Sequence, residues 1–168
     1  MSRRIELTLT YNAPAAAVHS ALTNRDFWLH RIEKSADNGV VLDRLDGGDG
    51  TVDVAISQTL DKNALPGMVS KAVKGDLVLT RGEAWGPFEN GRATGTFTVS
   101  TTGLPITAKG SAVLADAGDQ STLTLEGEVE VAIKLIGGAI EGMVADQVIG
   151  PLLQRDQTAT EEWVAANA

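Results

Sequence analysis

The sequence predicts an α+β fold, a seven-stranded curved antiparallel sheet around a long C-terminal helix, with two short helices after strand 1. Three observations carry that reading. In Leu123-Thr-Leu125-Glu-Gly127-Glu-Val129-Glu-Val131-Ala-Ile133 every second residue is apolar or Gly, and Glu126, Glu128 and Glu130 fill the gaps. A period of two marks a strand with one dry and one wet face. Around Gly137-Gly138 the period changes, and Ile136, Ile140, Met143, Val144, Gln147, Val148, Leu152 and Trp163 follow the three-or-four spacing of an amphipathic helix. One strand cannot bury such a helix, so a broad sheet built from the preceding chain must supply the other wall.

The elements follow in order. Ile5, Leu7, Leu9 and Tyr11 alternate with Glu6, Thr8 and Thr10 as a first strand. Pro14 suits a helix's first turn, and Ala15, Val18, Ala21 and Leu22 give that helix one apolar stripe. Asn24 or Thr23 is placed to cap a second short helix carrying Phe27, Trp28 and Ile32. From Gly39 the chain reads as successive hairpins: Val40 to Leu45, the turn Asp46-Gly-Gly-Asp-Gly50, then a strand with Val52, Val54 and Ile56 on its dry face. The linker Asp61 to Gly75 is apolar enough around Leu65, Met68, Val69 and Val73 to lie against the core. Leu77 to Trp85 is the next strand, and Glu89-Asn-Gly-Arg92 holds a hairpin-turn dipeptide. Ala93 to Thr101 follows with Phe97 and Val99 inward, and Ile106, Ala108, Ala112 and Leu114 mark a sixth strand. Inside the terminal helix, Gly150-Pro151 predicts a kink or break.

Composition narrows the function classes. A chain of 168 residues is read as one domain, 1–168, able to bury roughly 70% of its unfolded surface. Only seven residues are aromatic, so Val, Leu, Ile and Ala must build the core. A net charge of -8 without any Lys/Arg cluster argues against a nucleic-acid partner and against anionic lipid surfaces. The absence of cysteine removes disulfides, thiolate chemistry and cysteine-bearing zinc sites. The first residues alternate as a strand and lack a signal-peptide core. No apolar run approaches the roughly 20 residues of a membrane span. A soluble cytoplasmic protein without stable membrane insertion is the expectation.

The order strand, two short helices, six antiparallel strands and a long C-terminal helix resembles the helix-grip fold of the START-like (SRPBCC) superfamily, which includes Bet v 1 allergens, polyketide cyclases and lipid-transfer domains. Within it, several patches resemble the actinobacterial family DUF2505: Leu65-Pro66 with Val69 and Val73, Gly82-Glu-Ala-Trp85, Gly103-Leu-Pro105 with Gly110, Gly137-Gly-Ala-Ile-Glu141 and Thr160-Glu-Glu-Trp163. The resemblance spans essentially the whole chain. It implies an apolar cavity between sheet and terminal helix, and it carries over no catalytic residue.

The sharpest anomaly lies in Leu77 to Trp85, whose apolar register runs Leu77, Leu79, Arg81, Glu83, Trp85 and so places two charges on the inward face. In a cavity such a pair could anchor a carboxylate or hydroxyl of a greasy ligand or move protons; a bulge that reverses the register would instead expose it. Gln58 continues the Val52, Val54, Ile56 face as a weaker candidate. Trp28, Met68, Trp85, Phe97, Ile140, Met143, Val144 and Gln147 complete the expected ligand-contacting set, each also explicable as ordinary packing. Glu126, Glu128 and Glu130 read as a solvated outer face. His19 and His30 lack metal-ligand spacing or a Ser/Asp relay and read as surface or helix-packing residues. Asp46-Gly-Gly-Asp-Gly50 lacks calcium-loop spacing, and Gly137-Gly138 lacks a phosphate-loop pattern. Neither a metal nor a cofactor is expected.

Three functions remain open at this point. The first is a non-enzymatic carrier of a hydrophobic small molecule, lipid, sterol-like or polyketide, with the 61–75 linker opening to admit it. The second is a cyclase- or dehydratase-type enzyme with Glu83 or His30 as general base. The third is a protein-interaction module, which predicts a collapsed or tiny cavity and a contiguous exposed apolar patch.

Overall fold

The computed structural model describes residues 2–65, 67–133 and 137–167, without the side chains of Ala64, Met68 and Val148. Ile136 and Pro66, named above in the helical stripe and the linker, lie outside the described residues. The elements are β1 (Ser2–Tyr11), α1 (Ala15–Leu22), α2 (Arg25–Ser35), β2 (Val40–Gly48), β3 (Thr51–Leu60), α3 (Gly67–Ala72), β4 (Leu77–Trp85), β5 (Arg92–Thr102), β6 (Ile106–Ala117), β7 (Gln120–Val131), α4 (Gly137–Met143), a π-helical turn (Val144–Ile149) and α5 (Gly150–Ala166). The strands form one antiparallel sheet in the order β1-β7-β6-β5-β4-β3-β2. After β1 the chain crosses to the far edge through α1 and α2, then meanders back strand by strand until β7 pairs with β1.

Local chemistry explains the joints. Asn24 caps α2, its Oδ1 accepting from the Asp26 amide at 2.8 Å. Asn90 and Gly91 turn the β4–β5 connection with φ of 53° and 77°, the left-handed pair that a tight hairpin turn requires. At the terminal helix the expected break takes another form. Pro151 cannot donate to the carbonyl of Gln147, yet Gly150 stays right-handed helical (φ -55°, ψ -56°) and the π-helical turn lies directly upstream. A π turn winds more residues per turn than an α-helix, so it also shifts which residues face the sheet.

Directly paired strand residues share a face, and pairing therefore defines rows across the sheet. Ile5, Gly127, Gly110, Phe97, Glu83 and Val54 form one inward row; Leu7, Leu125, Ala112, Gly95, Trp85 and Val52 form the next. In each row an aromatic side chain lies over glycine. A Cβ on Gly127 would sit 2.9 Å from Phe97 Cζ, and one on Gly95 the same distance from Trp85 Cδ2. The buried apolar residues accordingly fall into two clusters. One lies under α1 and α2, around Phe27, Trp28 and Trp85. The other lies under α3 and α4, around Val69, Leu104, Val129 and Ile140. Glu126, Glu128 and Glu130 are exposed on the outer face, as their alternation predicts.

Gly127→Ala is expected to destabilise the protein by about 1–3 kcal/mol, the usual range for an overpacked core position. Gly138→Ala, in α4 with open space around it, should raise stability by about 0.4–1 kcal/mol. Urea unfolding of both variants checks the contrast.

Candidate functional site

Between the sheet and the terminal helix lies a cavity of about 120 Å³. Its walls are mainly aliphatic: Ile5, Leu7 and Leu9 from β1, Leu123 and Leu125 from β7, and Ile149, Leu152 and Leu153 from the terminal helical segment. Leu65 and Val69 reach it from the 61–75 segment. Against this apolar lining stand four charged side chains, Arg31, Arg81, Glu83 and Asp156.

Each is delivered by a different piece of local structure. Arg81 and Glu83 sit on β4 in the unbroken register Leu77, Leu79, Arg81, Glu83, Trp85, so both face inward and no bulge intervenes. Arg31 is one helical turn after Phe27 on α2, and its guanidinium lies 5.5 Å from the Phe27 ring centre and 5.0 Å from that of Trp28. Those aromatic faces attract the cation and hold it against the core. Asp156 follows Leu152 by four residues on α5 and precedes Thr160 by four, which places all three on one helix face.

Asp156 joins the cluster. Its Oδ1 accepts from Arg31 Nη2 at 2.6 Å and from Arg81 Nη1 at 3.3 Å, while Oδ2 accepts from Arg81 Nη2. One carboxylate thus ties α2, β4 and α5 together. The three side chains keep only 16–18% of their surface exposed. Glu83 stands beside them, its Oε1 accepting from Trp85 Nε1 at 2.5 Å. The buried Thr160 hydroxyl donates to the Asp156 carbonyl at 2.7 Å, and the Tyr11 side chain closes the same end of the cavity.

Burial and neighbouring charge push these groups in opposite directions. Burial pushes the Glu83 carboxyl above its ordinary value, and the Trp85 hydrogen bond and the Arg81 charge offset this only partly. For Asp156 burial acts the same way, but the charges of Arg81 and Arg31 and their hydrogen bonds outweigh it and hold the carboxyl low. Burial would lower Arg81, yet Asp156 more than compensates and raises it. The Tyr11 phenol is raised by burial and then by the charges of Glu83 and Asp156. The cavity therefore contains a firmly ionised Asp beside a Glu biased toward its neutral form.

Of the residues expected to contact a ligand, Trp28, Arg81, Glu83, Trp85, Phe97 and Val144 line the cavity. The others sit elsewhere. Ile140 is fully buried, and Met143 packs against the same closed cluster under α4. Gln147 is exposed, because the π-helical turn breaks the 3.6-residue phase that put it inward. Gln58 shares a row with Leu79 but is not a lining residue, and its amide donates to the Asn38 carbonyl at 3.4 Å. Met68 belongs to α3, and its side chain is outside those described. His19 packs α1 onto the sheet, its Nε2 2.8 Å from the Gly86 carbonyl oxygen. His30 is exposed on α2, its ring tilted over Trp163 at 5.6 Å, away from the cavity. Sequence reasoning missed two charged site residues, Arg31 and Asp156, together with Tyr11, Thr160 and most of the aliphatic wall. Each charged residue left a trace: Arg31 falls four residues after Phe27, and the apolar stripe of the last helix skips from Leu152 to Trp163 where Asp156 and Thr160 continue its spacing. Among the described residues no three His, Asp or Glu side chains are grouped to hold a metal ion.

Residues 6–164 match the family described as "Protein of unknown function (DUF2505)". The uncharacterized protein Rv0481c of Mycobacterium tuberculosis and an uncharacterized protein of Mycobacterium bovis are each 30% identical over 174 residues, covering 99% of both chains. Among solved structures, norcoclaurine synthase from Thalictrum flavum superposes with a TM-score of 0.59 at 14% identity, over 98% of this chain and 87% of that one. TTHA0849 from Thermus thermophilus gives 0.58 at 14% identity over 99% of both chains. The protein named Ara h 8.0201 gives 0.58 at 13% over the same shares. These likenesses show a shared Bet v 1-like fold.

The raised Glu83 carboxyl has a signed consequence for stability. A native state that holds this proton more tightly than the unfolded chain loses stability as pH rises from the ordinary Glu range through the native value. Glu83→Gln keeps an oxygen for the Trp85 N–H and removes the titration. Its stability relative to the parent should therefore improve from pH 4 to pH 8, read as the shift in urea midpoint; a difference that stays constant with pH contradicts the assignment.

Proposed function

The chain belongs to the DUF2505 family, and on that footing we propose that it binds a hydrophobic small molecule, of lipid, sterol-like or polyketide type, in the cavity between the sheet and the C-terminal helix. The observation that carries this reading is a cavity walled by aliphatic side chains yet holding four charged groups together. A core built only for stability would close on itself, because filling such space with well-packed side chains gains both hydrophobic and dispersion energy. A ligand that buried about 300 Å² of apolar surface would gain about 7 kcal/mol before the costs of association. The charged cluster that contains Arg81 and Glu83 receives the polar end, Arg81 through its hold on Asp156. The segment carrying Leu65 and Val69 covers the apolar end and moves to admit the ligand. A solved structure of norcoclaurine synthase holds dopamine and hydroxybenzaldehyde, an instance of small molecules bound by a protein of this fold.

One observation favours a second reading, catalysis in the same pocket. Glu83 is a buried carboxyl with a raised pKa beside an arginine, the environment a general acid or base needs. His30 drops out of that role because it lies on the outside of α2. The interaction-module alternative has less support. It expects a contiguous exposed apolar patch, whereas the exposed large apolar residues among those described are Leu29 and Val41 alone.

The neutral lipophilic dye Nile red tests the binding reading. It should saturate the protein near one equivalent with a strong rise in fluorescence. Ala108→Phe or Ala112→Phe, each placing a ring into the cavity, should weaken the dye at least tenfold. Dye binding that both variants leave unchanged would place the dye elsewhere and count against the proposal.

A further inference from the structure

The polar end of the cavity offers many hydrogen-bond donors and few free acceptors. Both oxygens of Asp156 are taken by the two arginines, and Arg81 directs one N–H from each of its terminal nitrogens at Asp156. Arg31 is different. Of its five N–H donors, one bond from Nη2 to Asp156 is made, and no other side chain or carbonyl among the described residues accepts from it. Arg31 lines the cavity, and the Phe27 and Trp28 rings fix its position. Tyr11 also lines the cavity, and its hydroxyl has no hydrogen-bond partner among the described residues. Glu83 has one oxygen occupied by Trp85 and the other open.

The charge count points the same way. Two guanidinium groups face one committed carboxylate, and burial biases Glu83 toward its neutral form, in which its open oxygen is a further donor. An uncompensated cation in an apolar cavity is costly, and an anion that arrives with its own apolar body relieves it. A guanidinium fork presents paired donors that match a carboxylate. An ammonium group would find only Glu83 unspent and would face two arginines.

Resting on the cavity reading above, we infer that the ligand is an aliphatic carboxylic acid whose carboxylate docks on the open edge of Arg31. Tyr11 is the second donor, and the aliphatic wall takes the chain. Asp156 and Arg81 are positioning residues: they hold Arg31 in place without spending its free donors.

Displacement of bound Nile red at pH 8 by dodecanoate, dodecanol and dodecylammonium, each below its aggregation concentration, tests the inference. Dodecanoate should displace the dye at a concentration at least tenfold lower than dodecanol, with dodecylammonium weakest. In Arg31→Gln the dodecanoate-to-dodecanol affinity ratio should fall to near one, and Arg31→Lys should restore part of it. Dodecanol matching dodecanoate on the parent protein, or dodecylammonium exceeding both, overturns the carboxylate inference while leaving the cavity reading in place. Failure of Nile red and of all three compounds to bind overturns both. The parent-protein comparison decides even if Arg31→Gln does not fold.

Discussion

The sharing of Asp156 between Arg31 and Arg81 is the constraint on which the site depends. It joins three of the elements around the cavity, α2, β4 and α5, at a single carboxylate. Such a triad is a poor device for stability alone. Desolvating three charges costs several kcal/mol per ion before their attraction is counted, and apolar replacements of similar volume are often neutral or better. Its effect here is geometric: it holds two cations in an apolar space and keeps α5 at a fixed distance from the sheet. The neighbouring Glu83, excluded from the triad and bonded to Trp85 instead, is then the group left to respond to what enters.

The cavity exists because of what the sheet omits. Phe97 and Trp85 lie flat across Gly127 and Gly95, so the largest inward side chains occupy the sheet surface without filling the space beneath α5. Small residues at Ala108 and Ala112 continue that floor. The two buried clusters, around Phe27 and Trp28 at one end and around Leu104 and Ile140 at the other, supply the walls of the cavity as well as the core.

The strand register was legible because period-two alternation has only two phases, and β4 keeps its phase from Leu77 to Trp85. That phase puts Arg81 and Glu83 on the inward face unless a bulge reverses it, and the unbroken pairing of β4 removes the bulge. The terminal helix was legible as an element but less so in its facing. Its phase was carried as a uniform 3.6-residue period through a π-helical turn, which put Gln147 inward when it is exposed. Asp156 and Arg31 were hidden for a related reason: a polar residue on an apolar helix stripe reads as a gap in the stripe until its partner across the fold is known. Pairing between Arg31 and Asp156, 125 residues apart, leaves no local signature. Ile140 and Met143 were placed on the correct side of the helix, yet nothing in the sequence distinguishes an inward residue that closes the core from one that borders a cavity.

Native mass spectrometry of the gently purified protein, before and after incubation with a total lipid extract, is the most direct test of the central claim that this interior holds a hydrophobic ligand. The account predicts a one-to-one adduct that survives transfer, is released on denaturation and partitions into organic solvent. The bare polypeptide mass under both conditions, from protein shown to be folded, would contradict it.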